Sequence, residues 1–391
     1  MTKYDLLLEC GTLIDPSQKI YSRSDVAFAA GRVAMIGSPG PADEVAERVD
    51  CFGCIVAPGM IDLHVHVFWG VSYLGIDADS NCISKGVTTA VDAGSAGADT
   101  FPGFRKYVIE VSATRLFAHL NIASQGMLTP GIGELMELRY ADVSRAVAVA
   151  EQHRDAILGI KVRLTRDSIV SEAAGLRPLH LAREAADTLG LPIMVHPQAA
   201  WCRSLDDILS VMRDRDILTH CYHDMECGIL DEKGRIRRSV REAMDRGVIF
   251  DVGHGSGSFS WQVVEKALQQ GVQPQTISSD LHVFNVNGPV YDLATTASKF
   301  LHLGLPLEVV LGKVTAAPAQ AIRMADDIGT LKVGAWGDAV VFELAEGNFE
   351  LADSHGEKRF GRQKLVPRAV VRSGKLYQSG KKTSAHVKSD S

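Results

Sequence analysis

Several short apolar runs in the chain end in a side chain that can take part in binding a metal ion. The residues at these positions are His64, His66, Lys161, His196, His220 and Asp280. If the runs are strands of a parallel barrel, their C-terminal ends meet at one mouth, where such barrels keep their active sites. The side chains would then lie together, although they are spread over more than half of the chain. Imidazoles, a carboxylate and a bridging anion are the ligands that two divalent cations about 4 Å apart need.

The pattern between the two ends of the chain is an alternation of β-branched runs with amphipathic stretches, which is typical of βα units around a parallel sheet. We expect strands near residues 55–66, 88–93, 116–123, 156–163, 191–196, 217–222, 248–252 and 276–280. Helices are expected at 142–154, 177–189, 206–213, 240–246 and 261–270. Eight βα units over about 260 residues have the size of a (β/α)8 TIM barrel.

The two ends of the chain carry a different pattern. Short strand-like runs punctuated by glycine and Asp-Pro fill roughly the first 55 residues. Similar runs return in AWGDAVVFELAEG and QKLVPRAVVRSGKLYQSG near the other end. We therefore predict an α/β chain in which residues 57–324 form the barrel. Residues 1–56 and 325–391 would form a small β-sandwich domain built from both termini.

The composition is that of a globular enzyme, with 46% hydrophobic and 23% charged residues. A formal net charge of -6 gives no indication of a basic surface for nucleic acid. The N-terminal segment lacks the pattern of a secretory signal, and no run approaches the ~18 apolar residues of a membrane span. We expect a cytoplasmic enzyme with a small-molecule substrate and no nucleic-acid or membrane partner. The sequence leaves homo-oligomer formation open.

The seven cysteines are an odd number in a chain of this size, which favours free thiols in a reducing cytosol. Cys51 and Cys54 have the spacing of a zinc or redox pair. No second CxxC accompanies them, so we expect buried structural thiols instead.

The HVH motif and Lys161 are the first two parts of the candidate site. His64 and His66 are two residues apart, so in a strand they share a face and can reach one metal. Lys161 lies inside an apolar run, where an ammonium group is costly unless its charge is paired or removed. A buried salt bridge and a Schiff-base lysine are two explanations. The third is carbamylation, in which CO2 adds to the neutral amine and creates a carboxylate that bridges two metals.

The remaining ligand candidates each have a structural alternative. His196 and His220 follow apolar runs directly and could be core histidines or metal ligands through a neutral ring nitrogen. Asp280 could cap the following segment. It could also bind a metal and take the proton from a metal-bound water, whose pKa falls to about 7.

This combination resembles the binuclear type of the amidohydrolase superfamily. The resemblance includes PGMIDLHVH at the start of the barrel and VTAAPAQAIRMADDIGTLKVGAWGDAVVFE at its end, and covers nearly the whole chain. It implies that His64, His66 and Asp280 hold one divalent metal and that His196 and His220 hold the other. Lys161, carbamylated by CO2, and a hydroxide would bridge both metals, which are usually zinc.

Several segments are similar to a subgroup of this superfamily, namely VTTAVDAGSAG, LTHCYH, DVGHGSGSFSW and SSDLHVFNVNGPVYDLATTASKFL. Members are often labelled dihydroorotase or D-aminoacylase, and some remove acetyl groups from α-hydroxy acids. Dihydroorotases usually carry an arginine two residues after the second HxH histidine, where this chain has Phe68.

The resemblance therefore implies a zinc-dependent deacetylase or esterase for a small carboxylate-bearing ester or amide. A bridging hydroxide would attack, and Asp280 would shuttle the proton. Cyclic amide hydrolysis of the dihydroorotase or hydantoinase kind is the alternative. A non-catalytic scaffold and a Schiff-base lyase fit less well, because the first should have lost ligands and the second leaves the histidines unexplained.

Residues near the strand ends are candidates for contact with the substrate. Glycines around His254 and Ser256 would let backbone amides approach an anion, and Arg163 could pair with a carboxylate or form a salt bridge inside the barrel rim. The predicted substrate-binding residues are Arg163, Tyr222, His223, His254, Ser256 and His282.

Overall fold

The computed structural model describes residues 3–378 of the chain. The strands there are β1 (Lys3–Glu9), β2 (Thr12–Asp15), β3 (Ile20–Arg23), β4 (Val26–Ala29), β5 (Arg32–Ile36), β6 (Glu44–Asp50), β7 (Ile55–Pro58), β8 (Met60–Val65), β9 (Val87–Gly97), β10 (Arg115–Asn121), β11 (Ile157–Arg163), β12 (Ile193–His196), β13 (Ile217–Leu218), β14 (Ile249–Phe250), β15 (Ala339–Ala352), β16 (Lys358–Arg372) and β17 (Lys375–Gln378). The helices are α1 (Ala78–Asn81), α2 (Phe101–Phe104), α3 (Val143–Gln152), α4 (Arg177–Leu189), α5 (Leu205–Leu209), α6 (Arg238–Asp245), α7 (Trp261–Gln269), α8 (Leu293–His302), α9 (Leu307–Val314) and α10 (Ala316–Ala321). Short 3-10 turns lie at Ile83–Lys85 and Leu138–Tyr140, and a π-helical turn lies at Arg105–Ile109.

The middle of the chain forms a seven-stranded parallel sheet in the order β14-β13-β12-β11-β10-β9-β8. The sheet is curled, and the segment 276–281 contacts both of its edges. Thr276 bridges Asp251 just beyond β14, and Leu281 bridges Val65 at the end of β8. This segment is the one predicted as the eighth strand. The α/β class is therefore confirmed, with a curled parallel sheet of seven strands. The predicted eighth strand forms only isolated bridges, so the complete (β/α)8 barrel stays a prediction.

The predicted first strand, 55–66, is wrong as a single element. Residues Ile55–Pro58 form β7, which pairs with β2 and β15 in another sheet, and the barrel strand β8 begins at Met60. Gly59 joins the two, and a Cβ at this position would lie 2.2 Å from the Thr88 hydroxyl. The chain thus passes from one sheet to the other where only glycine fits.

Four of the five helix predictions agree closely with the structure, since α3, α4, α6 and α7 lie within about two residues of their expected ranges. The fifth, 206–213, is wrong at its end, because α5 ends at Leu209. The α3 helix begins where expected because the Asp142 carboxylate accepts a hydrogen bond from the Arg145 amide. Among residues 3–378, none of the helices is both long and apolar enough to cross a membrane.

Two further sheets use both ends of the chain, with the orders β5-β4-β1-β6 and β17-β16-β15-β7-β2-β3. Leu6 and Phe28 of the first sheet share a buried cluster with Leu13, Val56 and Val341 of the second. The two sheets therefore share one buried core. The division into a 57–324 barrel and a sandwich domain of 1–56 and 325–391 stays a prediction, and residues 1–2 and 379–391 lie outside the described part.

The hairpin of β15 and β16 extends from this region to the barrel. Phe342, Leu351 and Leu365 of the hairpin belong to the largest buried cluster, which also contains the barrel core. The Leu365 amide donates to the Ser298 hydroxyl of α8 at 3.0 Å. The hairpin is thus a structural bridge between the terminal sheets and the barrel.

All seven cysteines are free thiols in the structure, as expected. Cys51 is buried, and burial raises the pKa of its thiol to about 12. The thiol is therefore protonated at neutral pH, which favours a structural role over metal binding or redox chemistry at the Cys51–Cys54 pair.

Candidate metal centre

Two imidazoles and one carboxylate meet at the mouth of the barrel. The Nε2 atoms of His64 and His66 lie 3.2 and 3.1 Å from the Asp280 Oδ1 atom. All three residues are buried, and one potential ligand atom from each lies within 4.8 Å of the others. The sequence brings them together because His64 lies on β8 and His66 follows it two residues later in an extended chain, and the Asp280 amide donates to the His64 carbonyl at 2.7 Å.

The other predicted ligands lie beside this group. The His220 ring centroid is 4.9 Å from that of His64 and 4.3 Å from that of His196. All six predicted ligands line a single cavity of about 230 Å³. The sequence therefore identified a set of residues that the fold does bring together.

The donor set fits divalent metal ions. Within the described residues, the buried atoms His220 Nε2 and Lys161 Nζ have no hydrogen-bond partner. Buried polar atoms are almost always paired, so an orphaned one calls for a missing ion or water. Both atoms belong to residues that line the same cavity as the histidine–aspartate group, which supports a centre larger than one three-ligand site.

Lys161 is fully buried, its Nζ atom has no hydrogen-bond partner, and no carboxylate of the described residues forms an ion pair with it. The salt-bridge explanation of this lysine is therefore wrong. Burial lowers the pKa of its amine to about 7, so much of the amine is neutral at physiological pH. Gly94 packs against the lysine, since a Cβ there would lie 2.6 Å from Lys161 Cγ.

The histidine rings are oriented by hydrogen bonds from their second nitrogen. The Thr219 hydroxyl donates to Asp251 at 2.9 Å and therefore accepts from His64 Nδ1, 2.8 Å away. His220 Nδ1 donates to the Gly253 carbonyl at 2.6 Å. Both rings thus present the Nε2 lone pair to the centre, as an oriented metal ligand requires.

The other two histidines are held in the same way. His66 Nδ1 lies 2.9 Å from the Ser95 hydroxyl, and His196 Nε2 lies 3.2 Å from the Thr165 hydroxyl. The contact with Thr165 leaves Nδ1 of His196 as its ligand atom. Second contacts of this kind fix the ring tautomer and orientation.

The protonation states suit metal binding. Burial lowers the pKa of the His64 and His196 imidazoles well below the usual value and that of His220 to about 3. Burial opposes ionisation of Asp280, but His64 and His66 hold the pKa of its carboxyl well below its usual range. Neutral imidazoles and an ionised carboxylate are the forms that bind divalent cations.

Backbone conformations at the centre are unusual. His220 has a φ of 60° and Asp280 a φ of 48°, in the left-handed region that favours glycine. Strain of this kind persists where the surroundings enforce it, most often at functional sites. Gly255, with a φ of 54°, packs against the aspartate, because a Cβ there would lie 2.4 Å from Asp280 Oδ2.

Half of the predicted substrate-binding residues line the cavity, namely Arg163, Ser256 and His282. The Phe284 amide donates to His282 Nδ1 at 3.2 Å, so Nε2 carries the proton of the neutral ring. That nitrogen lies 3.1 Å from the Ser256 hydroxyl. These two side chains are therefore coupled at the cavity wall.

The structure does not bring Tyr222, His223 and His254 to this cavity. The Tyr222 ring is buried between Phe259 and Phe300, and His223 lines a separate cavity. His254 lies 2.6 Å from the Lys299 amine through its Nε2 atom. Position after a strand end predicted proximity to the mouth, but the loops turn these side chains into the packing behind it.

Sequence reasoning missed several lining residues, namely Tyr73, Leu74, Gln198, Met225, Gly257, Ser258 and Phe284. Gln198 is two residues beyond His196, a spacing that could have identified it. Glu134 was also missed, although it forms a 2.5 Å ion pair with Arg163. The salt bridge at the barrel rim that the sequence left as an alternative for Arg163 is therefore present.

A curled parallel sheet with imidazoles and a carboxylate at its C-terminal strand ends defines a class of barrel proteins that can hold metal at the mouth. The amidohydrolase family model matches residues 55–377, and the chain belongs to the amidohydrolase family.

Two relatives with curated names are called deacetylases. One from Agrobacterium fabrum (strain C58 / ATCC 33970) is 35% identical over 90% of this chain and 86% of its own. Another from Enterococcus faecalis (strain ATCC 700802 / V583) is 33% identical over 96% of this chain and 100% of its own.

Solved structures carry other names. One described as an adenine deaminase has a TM-score of 0.88 and 31% identity, covering 96% of this chain and 100% of that one. One described as a dihydroorotase has a TM-score of 0.84 and 33% identity, covering 95% and 98%. Because similar folds carry different activities, the fold alone does not decide the substrate.

The contact between Gly255 and Asp280 predicts the effect of a single methyl group. Gly255→Ala should weaken metal binding by about 10–100-fold, because the aspartate must move and the left-handed backbone costs about 1–2 kcal/mol. Zinc affinity by competition with a chelating dye measures this. Gly257→Ala is the matched control, since no atom lies within 4 Å of its Cβ. Equal affinity in the two variants would contradict the prediction.

Proposed function

We propose that this chain is a metal-dependent hydrolase that removes an acyl group, with acetyl as the first candidate, from a small carboxylate-bearing ester or amide. The observation that carries the proposal is the shared cavity, in which the predicted metal ligands and the cationic Arg163 side chain face the same space of about 230 Å³. That volume suits a small substrate.

Arg163 is suited to bind the carboxylate of the substrate. Its contacts with Glu134 and Tyr73, at 2.5 and 3.2 Å, both use the Nη1 atom. Among the described residues, no acceptor forms a hydrogen bond with the Nε or Nη2 atom of Arg163. A guanidinium edge with two parallel donors is the geometry that binds a carboxylate in a bidentate manner.

The choice of acyl removal over ring opening is supported by the relatives named deacetylase at 33–35% identity. A dihydroorotase from Geotalea daltonii is more distant, at 24% identity. Phe68 stands where dihydroorotases usually have arginine. Cyclic amide hydrolysis is the second candidate, because a solved structure described as a dihydroorotase shares 33% identity.

Metal ions would be held by two groups of residues in this proposal, His64 with His66 and Asp280, and His196 with His220. Lys161, as its CO2 adduct, would supply the bridging carboxylate, and zinc is the expected metal. When bound, such ions lower the pKa of water and polarise a carbonyl group.

Side chains of the protein supply the remaining chemistry. Asp280 would accept the proton of the attacking water and deliver it to the leaving group, a role that needs an ionised carboxylate at neutral pH. Arg163 would fix the substrate carboxylate. The protonated Nε2 of His282, already close to the Ser256 hydroxyl, would donate a hydrogen bond to a substrate oxygen.

The test is metal analysis of the purified protein followed by hydrolysis assays on the same sample. The substrates are N-acetyl amino acids, O-acetyl hydroxy acids of both hands, dihydroorotate and hydantoins. About two metals per chain with turnover of acetyl compounds supports the proposal. Ring opening alone selects the second candidate. Absence of metal, with no rescue by zinc and bicarbonate, contradicts both.

Replacing Lys161 with alanine should remove most of the metal and the activity, because the bridging group is lost. Short carboxylic acids should restore part of both by occupying its place. Metal per chain and initial rates, with and without added formate or acetate, measure this. Lys313→Ala is the control, since that amine donates to the Pro274 carbonyl at 2.5 Å. Wild-type metal content in Lys161→Ala would exclude the bridging role.

Asp280→Asn should retain much of the metal while kcat falls by roughly 10²–10⁴, the usual effect of losing a general base. An amide oxygen can still bind a cation but cannot carry the proton. Parallel measurement of metal content and kcat separates the two roles of this side chain. An Asp280→Asn enzyme with nearly normal kcat would exclude Asp280 as the proton carrier.

A further inference from the structure

The loop after β14 forms one wall of the catalytic cavity. We call residues 254–260 the β14 loop. Ser256, Gly257 and Ser258 of this loop line the cavity. Gln198 on the opposite side donates to the Gly257 carbonyl at 2.8 Å and accepts from the Ser258 hydroxyl at 3.1 Å. The position of this loop therefore sets the shape of the space that a substrate enters.

Few backbone amides of the β14 loop pair with the neighbouring strand segment. Its first amides pair with the 276–281 segment, since His254 and Gly255 donate to Ser278 and Ser279 at 3.2 and 3.0 Å. Beyond Gly255 the chain leaves that segment. The next backbone groups need partners from elsewhere, because unpaired buried amides are costly.

Those partners come from the terminal sheets. The turn that joins β15 to β16, residues 353–357, is called here the hairpin turn. Its Ser354 hydroxyl accepts hydrogen bonds from the amides of Ser258 and Phe259, both at 3.1 Å. The same hydroxyl lies 3.2 Å from the carbonyls of His254 and Gly255. A hydroxyl has one proton and two acceptor sites, so these contacts use its full capacity.

Other contacts fix the hairpin turn against the barrel. The Ser354 amide donates to the Phe259 carbonyl at 3.0 Å, and the Trp261 amide donates to the buried Asp353 carboxylate at 3.2 Å. Lys299 donates to the Ala352 carbonyl at 2.6 Å. The turn itself is stiff, since Asp353 also accepts from the amides of His355 and Glu357 at 2.9 Å.

We propose that Ser354 is a positioning residue for the catalytic cavity: it has no place in the cavity lining, and it holds the β14 loop in the conformation that binds substrate. The effect on turnover rests on the proposed hydrolase function. The effect on the loop does not, because it concerns hydrogen bonds between parts of this chain.

The experiment compares the metal-loaded wild type with Ser354→Ala, Ser354→Thr and Lys358→Ala. The last is a matched control on the same hairpin, which removes an exposed ion pair to Glu350 at 3.0 Å. Hydrogen–deuterium exchange is measured for peptides covering residues 254–260, together with KM, kcat and metal per chain.

In Ser354→Ala, the amides of Ser258 and Phe259 should exchange faster, because they lose their acceptor. The exchange rates of other peptides should change little. KM should rise about tenfold while kcat and metal content change little, the result expected when substrate binding is lost. Ser354→Thr, which keeps the hydroxyl, should resemble the wild type, as should Lys358→Ala.

Three results would overturn the proposal. The first is unchanged exchange of the β14 loop in Ser354→Ala. The second is a lower kcat with unchanged KM, which indicates only a smaller folded fraction. The third is a Ser354→Thr variant as impaired as Ser354→Ala. If no compound is hydrolysed by the wild type, the proposed function fails, whereas the exchange comparison still decides the role of Ser354.

Discussion

Parallel strand ends converge at one edge of the curled sheet, and the position of every residue in the candidate site follows from that convergence. The C-terminal ends of several strands of the curled sheet meet at one mouth, so residues from 64 to 280 share one small cavity. The backbone bonds between the 276–281 segment and β8 place Asp280 beside His64 and His66. The charge, burial and ring orientation of the residues at the centre all follow from the way these segments come together.

Burial gives the centre its chemistry. A protonated imidazole would repel a cation, but desolvation keeps the His64, His196 and His220 rings neutral. The same desolvation makes the Lys161 amine partly neutral, the form that reacts with CO2. Hydroxyls and carbonyls behind the rings then fix which nitrogen faces inward. Desolvation thus prepares the nitrogen ligands, whereas the neighbouring histidines keep the Asp280 carboxylate ionised against it.

The terminal sheets contact the loop that forms one wall of the cavity, and they also pack against the barrel core. The β15–β16 hairpin packs into the barrel core, and its turn supplies the hydrogen bonds that the β14 loop lacks. Loops over a barrel mouth carry specificity but have few partners of their own. A second group of sheets beside the mouth provides those partners without entering the cavity.

The α/β class, four helix ranges and the six candidate ligands that share the cavity could be predicted from the sequence, because strand periodicity and strand-end position are local properties. Which flanking residues line the cavity became clear only from the folded chain. Tyr222, His223 and His254 follow strands as Ser256 does, yet only Ser256 lines the cavity. Loop direction depends on distant contacts, such as those of Ser354 and Lys299. The roles of Glu134 and Tyr73 and the split at Gly59 between two sheets were not predicted for the same reason. Each depends on neighbours that are remote in the chain.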